Sequence, residues 1–122
     1  MPDQILITGI RGTGHHGVFA EERRDGQEFI VDVALEVDLR RSASSDDLAD
    51  TVDYGTVASE VHALITGEPH DLIETLAEDI ASACLRHAAV ESVTVTVHKP
   101  QAPITVPFDD VAVRITRSRP DA

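Results

Sequence analysis

The chain has 122 residues, of which 42% are hydrophobic and 26% charged, a composition typical of one globular domain. Its formal net charge is −12 and only 3% of its residues are aromatic, which argues against nucleic acid or an anionic membrane as a partner. A single cysteine, Cys84, excludes an internal disulfide and a cysteine-rich zinc site. We find neither a signal peptide nor an apolar run of about 18 residues, and therefore expect a cytoplasmic protein.

Four segments have the composition of β-strands. Residues 4–11 are rich in β-branched side chains, and the glycines in 12–17 predict a flexible segment after them. Apolar and mostly polar residues alternate through 27–40, which predicts a long strand with one buried face and a bend or bulge. Residues 91–99 and 110–117 are predicted to form the last two strands, with prolines between them that prevent a regular ladder.

Two helices are predicted in the middle of the chain, after a polar loop at 42–53. The first spans 54–66, with Asp53 as its N-cap and a glycine after its last residue. The second spans 72–87, with Asp71 as its N-cap, and an apolar stripe at helical spacing runs along it.

The resulting order of elements is ββααββ, which indicates an α+β fold. We expect a four-stranded antiparallel sheet with both helices on one face, in a single domain over 1–122 with a frayed tail at 118–122. A small sheet with two long strands has exposed edges that other chains could pair with. Oligomerisation in a ring through those edges would satisfy them.

Two residues combine a chemically useful side chain with an informative position. Lys99 continues the apolar parity of the third strand, so its side chain either extends past the strand end to solvent or lies in a pocket. Glu74 follows Asp71 by three residues. It is either a capping-box residue or a carboxylate beside free amide groups at a helix start.

The remaining candidates have a structural and a functional interpretation each. Tyr54, the only tyrosine, either packs with its hydroxyl in water or offers a stacking surface and a proton. Glu21 and Glu22 lie in a charged run typical of a solvated turn, although this run follows the glycine segment closely. His15 and His16 are adjacent and point to opposite sides of an extended chain, so we predict no metal site.

Several motifs, taken in order, make the chain similar to a known enzyme family. It resembles the dihydroneopterin aldolases of folate biosynthesis over almost its whole length. The matching segments are Gly14-His15-His16-Gly17-Val18, Glu22-Arg23, Gly26-Gln27, Asp50-Thr51-Val52-Asp53-Tyr54, Leu72-Ile73-Glu74-Thr75-Leu76-Ala77-Glu78 and His98-Lys99-Pro100-Gln101-Ala102-Pro103-Ile104.

The resemblance implies an architecture and an assembly. The family has the tunnelling fold (T-fold), with which the predicted ββααββ order agrees. Four subunits of the family join their sheets into a barrel, and two such rings stack into a homo-octamer. The active sites of the family lie between neighbouring subunits, so residues of two chains should meet at each site.

The resemblance also assigns roles in substrate binding. Glu74 is expected to anchor a pterin by pairing its carboxylate with the 2-amino and N3–H edge of the ring. Backbone groups near Ile73 and Val52 would complete pterin recognition. Tyr54 is expected to come from the adjacent subunit and to stack near the pterin.

Lys99, Glu22 and Tyr54 are the catalytic residues that the resemblance implies. The family cleaves 7,8-dihydroneopterin by a retro-aldol reaction to 6-hydroxymethyl-7,8-dihydropterin and glycolaldehyde. The C=N5 imine of the substrate can accept the electrons, so neither a cofactor nor a metal is expected. We interpret Lys99 as an electrostatic and hydrogen-bonding group, with Tyr54 and an ordered water as the proton carriers.

Three alternatives remain open at this point. An epimerase acting at C2′ of dihydroneopterin, or of its triphosphate, would use the same site for cleavage and re-addition. A non-catalytic pterin-binding ring would need Glu74 but could dispense with Lys99 and Glu22. A zinc-dependent relative on the same fold would need histidine ligands at closer spacing than the sequence offers.

Overall fold

The computed structural model describes residues 3–120. Within them lie four strands, four α-helices and one 3₁₀ turn. In chain order these elements are β1 (Gln4–Gly14), α1 (Ala20–Asp25), β2 (Gln27–Glu36), α2 (Arg40–Ser45), the 3₁₀ turn (Leu48–Asp50), α3 (Tyr54–Thr66), α4 (Ile73–Leu85), β3 (Ser92–His98) and β4 (Ala112–Ser118).

The four strands form one antiparallel sheet in the order β1-β2-β3-β4. Helix α3 packs against β1, and α4 packs against β3 and β4, so both long helices cover the same face. The predicted α+β class and the ββααββ order are confirmed. Strands β1 and β4 lie at the two edges of this sheet, where each has one side without a hydrogen-bonded neighbour strand.

The core lies between the sheet and the two long helices. Alternation along β2 and β3 turns every second side chain toward the helices, as the sequence pattern predicted. The stripe predicted for α4 is buried as well. The principal core residues are Phe29, Val31, Val33, Leu35, Val57, Val61, Ile65, Leu76, Ala77, Ile80, Cys84, Val93, Val95 and Val97.

The prediction of a flexible glycine segment is wrong for its first half. Strand β1 continues through Gly12 to Gly14, where it pairs with the start of β2. A β-carbon on Gly14 would lie 2.6 Å from the carbonyl oxygen of Ile65 in α3, so glycine is needed there for close packing. The predicted bulge is also in another strand: the register shifts in β1 at Gly9, which has a φ of 76°.

The segment between β2 and α3 is more ordered than predicted. Strand β2 ends at Glu36 rather than at residue 40, and α2 begins at Arg40. The predicted loop 42–53 therefore contains the end of α2 and the 3₁₀ turn, in which the Ala49 amide donates to the side chain of Asp47. These short elements carry no apolar periodicity, which is the signal that reveals longer helices.

The two long helices begin differently from one another. Asp53 caps α3 as predicted, accepting hydrogen bonds from the amides of Gly55 and Thr56 at 3.0 and 3.3 Å. The N-cap of α4 is Leu72, so the prediction of Asp71 as N-cap is wrong. Asp71 instead forms an ion pair with Arg23 of α1, which is a long-range contact that local spacing cannot reveal.

The predicted frayed tail is wrong for residues 118 and 119. Ser118 is the last residue of β4, and the amide of Arg119 donates to the carbonyl of Glu91 at 3.0 Å. The Arg119 guanidinium also donates to three carbonyls at and beyond the C-terminal end of α4. Residues 121 and 122 of the predicted tail lie outside the described residues.

Across residues 3–120, none of the helices is both long enough and apolar enough to cross a membrane.

Candidate active site

One pocket gathers most of the predicted site residues. It lies between the N-terminal ends of α1 and α4 and the segment that joins β3 to β4. Its walls are apolar except for four charged side chains. The residues that line it are Val18, Phe19, Glu22, Asp71, Leu72, Ile73, Glu74, Lys99, Ala102, Pro103, Ile104 and Val111.

A buried ion pair forms the inner end of this pocket. Lys99 Nζ lies 2.6 Å from Glu22 Oε2, and the two side chains are only 12% and 7% exposed. Lys99 therefore occupies the pocket rather than extending to solvent. It is also the only lysine of the chain. Of the two interpretations of the charged run, the solvated turn is wrong for Glu22, because α1 turns this carboxylate inward.

The Glu22 carboxylate is held by three donors. Besides Lys99, the Phe19 amide donates to Oε1 at 3.3 Å and Gln27 Nε2 donates to Oε2 at 3.0 Å. Burial alone would raise the pKa of Glu22, but the hydrogen bonds from Lys99, Phe19 and Gln27 and the charge of Lys99 together outweigh it. The pKa of Glu22 is lowered, so this residue is a carboxylate at neutral pH and its charge is matched by the lysine.

Strand parity explains how Lys99 reaches the pocket. Val93, Val95 and Val97 of β3 face the helices, and Lys99 follows them just beyond the strand end. Its amide donates to the carbonyl of Val111 at 2.8 Å, which closes the neck of the 99–111 loop. The backbone of Lys99 is therefore held by strand β3, which precedes it, and by its own hydrogen bond to Val111.

Glu74 lies in the first turn of α4 with its side chain exposed to the pocket. The capping-box interpretation is wrong, because Leu72 is the N-cap and no side chain caps this helix end. Within residues 3–120, the Glu74 carboxylate takes part in no intramolecular hydrogen bond or ion pair. The buried Ile73 precedes it at the helix start, where amide groups have no partner within the helix.

The structure of one chain does not bring Val52 and Tyr54 to this pocket. Val52 is buried in the core beneath the start of α3. Tyr54, the first residue of α3, is 64% exposed and lines no part of the pocket.

The two adjacent histidines have structural contacts. His16 is fully buried, with Nε2 2.8 Å from the Ile65 carbonyl and Nδ1 accepting the His70 amide at 3.0 Å. His15 Nδ1 lies 2.9 Å from the Arg23 carbonyl. In the part of the chain that the structure describes, no three His, Cys, Asp or Glu side chains are grouped so as to hold a metal ion.

Gln27 is a site residue that the sequence analysis missed. Its amide nitrogen donates to Glu22, while its Oε1 is buried without a hydrogen-bond partner among the described residues. The inward orientation of Gln27 could have been predicted, because it has the same strand parity as Phe29, Val31 and Val33, which face the core. A polar residue at such a position needs a partner inside the protein.

Known proteins are similar to this chain over nearly its whole length. The family model for dihydroneopterin aldolase matches residues 5–116. A dihydroneopterin aldolase of Streptomyces coelicolor is 60% identical over 117 residues, covering 96% of this chain and 98% of the relative.

The chain belongs to the dihydroneopterin aldolase family.

Solved structures of dihydroneopterin aldolases share the fold. The E. coli enzyme in complex with neopterin has a TM-score of 0.86 at 28% identity, covering 95% of this chain and 99% of that one. The Burkholderia thailendensis enzyme bound to guanine has a TM-score of 0.78 at 27% identity, covering 98% and 93% of the two chains. The predicted tunnelling fold, the dihydroneopterin aldolase activity and the class of lyase are thereby confirmed.

Proposed function

We propose that this pocket binds 7,8-dihydroneopterin and cleaves it to 6-hydroxymethyl-7,8-dihydropterin and glycolaldehyde with the Glu22–Lys99 pair at the reacting end. The observation that carries this proposal is the arrangement of the charges. A buried, mutually neutralised pair lies at the inner end of the pocket, and the carboxylate of Glu74, free of intramolecular partners among the described residues, lies at a helix start in the same pocket.

Glu74 suits the recognition of a pterin ring. A carboxylate can accept the 2-amino group and N3–H of a pterin side by side, in a charge-assisted pair. Backbone groups near Ile73, and near Val52 of a neighbouring subunit, complete the recognition. The neopterin and guanine bound to the two solved relatives share this amino and N–H edge, which supports a pterin as the ligand here.

The retro-aldol step requires a base and an electron sink. A base removes the proton of the 2′-hydroxyl, and the C1′–C2′ bond breaks as glycolaldehyde forms. The electron pair of that bond moves into the C=N5 imine of the substrate. Protonation at C1′ then gives 6-hydroxymethyl-7,8-dihydropterin, so protons and electrons balance within substrate and solvent. The protein has to position groups and move protons.

Lys99 acts in this step as a cation that donates a hydrogen bond at N5. The ion pair with the Glu22 carboxylate at 2.6 Å holds the Lys99 ammonium in the pocket, where it stabilises negative charge that develops on N5. Tyr54, together with an ordered water, carries the protons.

Tyr54 can take this role only if a neighbouring subunit supplies it. We propose a homo-octamer of two stacked rings of four, with each active site between two chains. The free edges of β1 and β4 are suited to pairing with each other in neighbouring subunits. The rim of the pocket is apolar and exposed, with Phe19 at 52%, Leu72 at 50% and Ile104 at 42%, as expected of a surface that a partner covers.

A product assay tests the proposed reaction. EDTA-treated protein is incubated with 7,8-dihydroneopterin, the pterins are separated by chromatography and glycolaldehyde is trapped. We expect equal amounts of 6-hydroxymethyl-7,8-dihydropterin and glycolaldehyde. Formation of a monapterin isomer without glycolaldehyde would instead identify an epimerase. Tight pterin binding without turnover, unchanged by added zinc, would identify a binding protein.

A further inference from the structure

His98 makes two ionic contacts on the sheet face opposite to the helices. It is the last residue of β3, and its Nε2 lies 2.7 Å from Asp32 Oδ2 on β2. Its Nδ1 lies 2.7 Å from Asp110 Oδ2, just before β4. The imidazole is about three-quarters buried between these two carboxylates. One ring therefore connects three neighbouring parts of the sheet.

Both contacts require the protonated ring. Ionised carboxylates only accept hydrogen bonds, and a neutral imidazole has a single N–H to donate. The imidazolium can satisfy Asp110 and Asp32 at once, and it also offsets their two charges. The hydrogen bonds that His98 donates, first to Asp110 and then to Asp32, together with the charges of these carboxylates outweigh the effect of burial and raise the pKa of His98. The nearby cations are Arg114 on β4, which donates to Thr96, and Arg11 on β1.

The three residues His98, Asp32 and Asp110, which we call the clamp, lie at the neck of the loop that carries Lys99. His98 directly precedes Lys99, and Asp110 directly precedes Val111. The amide of Lys99 donates to the carbonyl of Val111 at 2.8 Å, so the ring of His98 ties together the residues adjoining this hydrogen bond. The 99–111 loop supplies one wall of the pocket, including Pro103 and Ile104.

Asp32 anchors the clamp to the rest of the sheet. Its Oδ1 accepts the amide of Gly9 at 2.8 Å, at the bulge of β1, while its Oδ2 contacts His98. The carboxylate is thus bound from both sides and cannot follow the loop if the loop moves. Asp32 on β2 is therefore a fixed contact that holds His98, at the end of β3, in place.

We propose that His98 is a positioning residue, whose bonds to Asp32 and Asp110 hold the neck of the 99–111 loop and keep Lys99 against Glu22. The proposal rests on the proposed function for its kinetic consequence, because Lys99 is placed at the reacting end. His98 itself lies on the other face of the sheet from the pocket. When His98 loses its proton, one of the two bonds is lost and the neck loosens.

The kinetic test compares pH profiles of kcat with 7,8-dihydroneopterin as substrate. The wild type should lose activity on an alkaline limb as His98 deprotonates. Asp110→Asn removes one carboxylate and should shift this limb to lower pH. His98→Gln should abolish the limb and lower kcat roughly tenfold with little change in KM, since the lysine is misplaced rather than removed.

His87→Gln is the matched control variant. His87 also pairs with a carboxylate, Glu60, at 2.6 Å and its side chain is similarly exposed, at 22%. It follows the C-terminal end of α4, whereas the pocket lies at the N-terminal end of that helix, and it lines no part of the pocket. It should keep the wild-type profile. A His98→Gln enzyme with wild-type kcat, or an Asp110→Asn enzyme with an unshifted limb, would overturn the proposal.

Hydrogen exchange of the Lys99 amide provides a readout that needs no activity. Its protection factor should fall in His98→Gln and Asp110→Asn and, in the wild type, above the pH at which His98 titrates, while His87→Gln leaves it unchanged. If protection were equal in all four proteins, the clamp would be disproved even if the wild type proved to be an active aldolase. Conversely, a wild type without turnover but with this pattern of protection would contradict the proposed function alone.

Discussion

Gly17 passes so close to the Glu22 carboxylate that no side chain fits between them. A β-carbon at this position would overlap the carboxyl group, and the φ of Gly17, 149°, is itself unfavourable for other residues. The loop cannot move away easily, because the Gly17 amide donates to His70 and its carbonyl accepts from Arg23. Gly17 thus fixes the position of the buried ion pair.

Gly17→Ala should therefore displace Glu22 and lower kcat/KM by roughly 100-fold, in line with the cost of misplacing a reacting group. The control is Gly9→Ala, which also introduces a side chain at positive φ but meets nothing closer than the Arg11 guanidinium at 3.8 Å. It should cost about 1 kcal/mol of stability and leave kcat/KM near wild type. Equal losses of activity in both variants would show that backbone strain alone is responsible.

At the level of single residues, parity and spacing predicted part of the site. The alternation of β3 correctly placed Lys99 on the helix side, and Glu74 does lie at a helix start in the same pocket. The burial of Glu22 could not be predicted, because it depends on donors from Gln27 and Lys99 that the fold brings to it. A charged run has the same local pattern whether it is solvated or turned inward.

At the level of elements, His16 connects the end of β1 to the segment between the two long helices. Its Nδ1 accepts the His70 amide, so the proton of the neutral ring lies on Nε2 and is donated to Ile65 at the end of α3. A second proton would remove the acceptor. Burial is the main reason why the pKa of His16 is lowered, and the charges of His70 and Arg23 act in the same direction.

This arrangement predicts a pH-dependent contribution to stability. The pKa of His16 is lower in the folded than in the unfolded chain, so the unfolded chain binds the proton more readily in acid. The contribution is complete above about pH 6.5 and is lost as the pH falls toward the folded pKa. Denaturant unfolding at several pH values should show that wild type loses more stability than His16→Gln between neutral pH and pH 5.

The exposed His62 provides the control for this prediction, because His62→Gln removes a histidine without removing a buried contact. It should keep the full pH dependence of the wild type. If the His16→Gln protein lost stability in acid as steeply as the wild type, His16 would not be the titrating group.

The elements that the sequence predicted well are those with long apolar patterns. Helix α3 has the predicted bounds, and α4 and β3 differ by one or two residues at each end. The helices α1 and α2 were missed because six residues are too few to show a helical periodicity of apolar side chains. The extension of β1 through its glycines was missed because these glycines allow the strand to pack closely against α3. This tertiary effect is not visible in the composition.

At the level of the whole molecule, the account requires two chains for each site. Lys99→Ala and Tyr54→Ala homo-oligomers should each have little activity. If the two variants are unfolded together and refolded in equal amounts, about a quarter of the sites should contain both wild-type residues, because the two come from different chains. Activity should return to about that fraction of the wild-type value, and light scattering should report an octamer.

The two variants mixed without unfolding provide the control, since existing oligomers exchange no chains unless they dissociate. If refolded mixtures stayed inactive while each variant reassembled normally, Lys99 and Tyr54 would belong to the same chain. A Tyr54→Ala homo-oligomer with wild-type activity would show that Tyr54 plays no part in the reaction.

The most direct test of the account is the effect of Lys99 on turnover of 7,8-dihydroneopterin. Lys99→Gln keeps a donor toward Glu22 and removes the charge, which limits the cost of leaving a buried carboxylate unpaired. Arg24→Ala, which removes a cation that is 69% exposed, is the control. We predict a fall in kcat/KM of roughly 100-fold or more for Lys99→Gln and little change for Arg24→Ala, with both proteins folded by circular dichroism. A folded Lys99→Gln enzyme with wild-type kcat/KM would contradict the assignment of the reacting end to the Glu22–Lys99 pair.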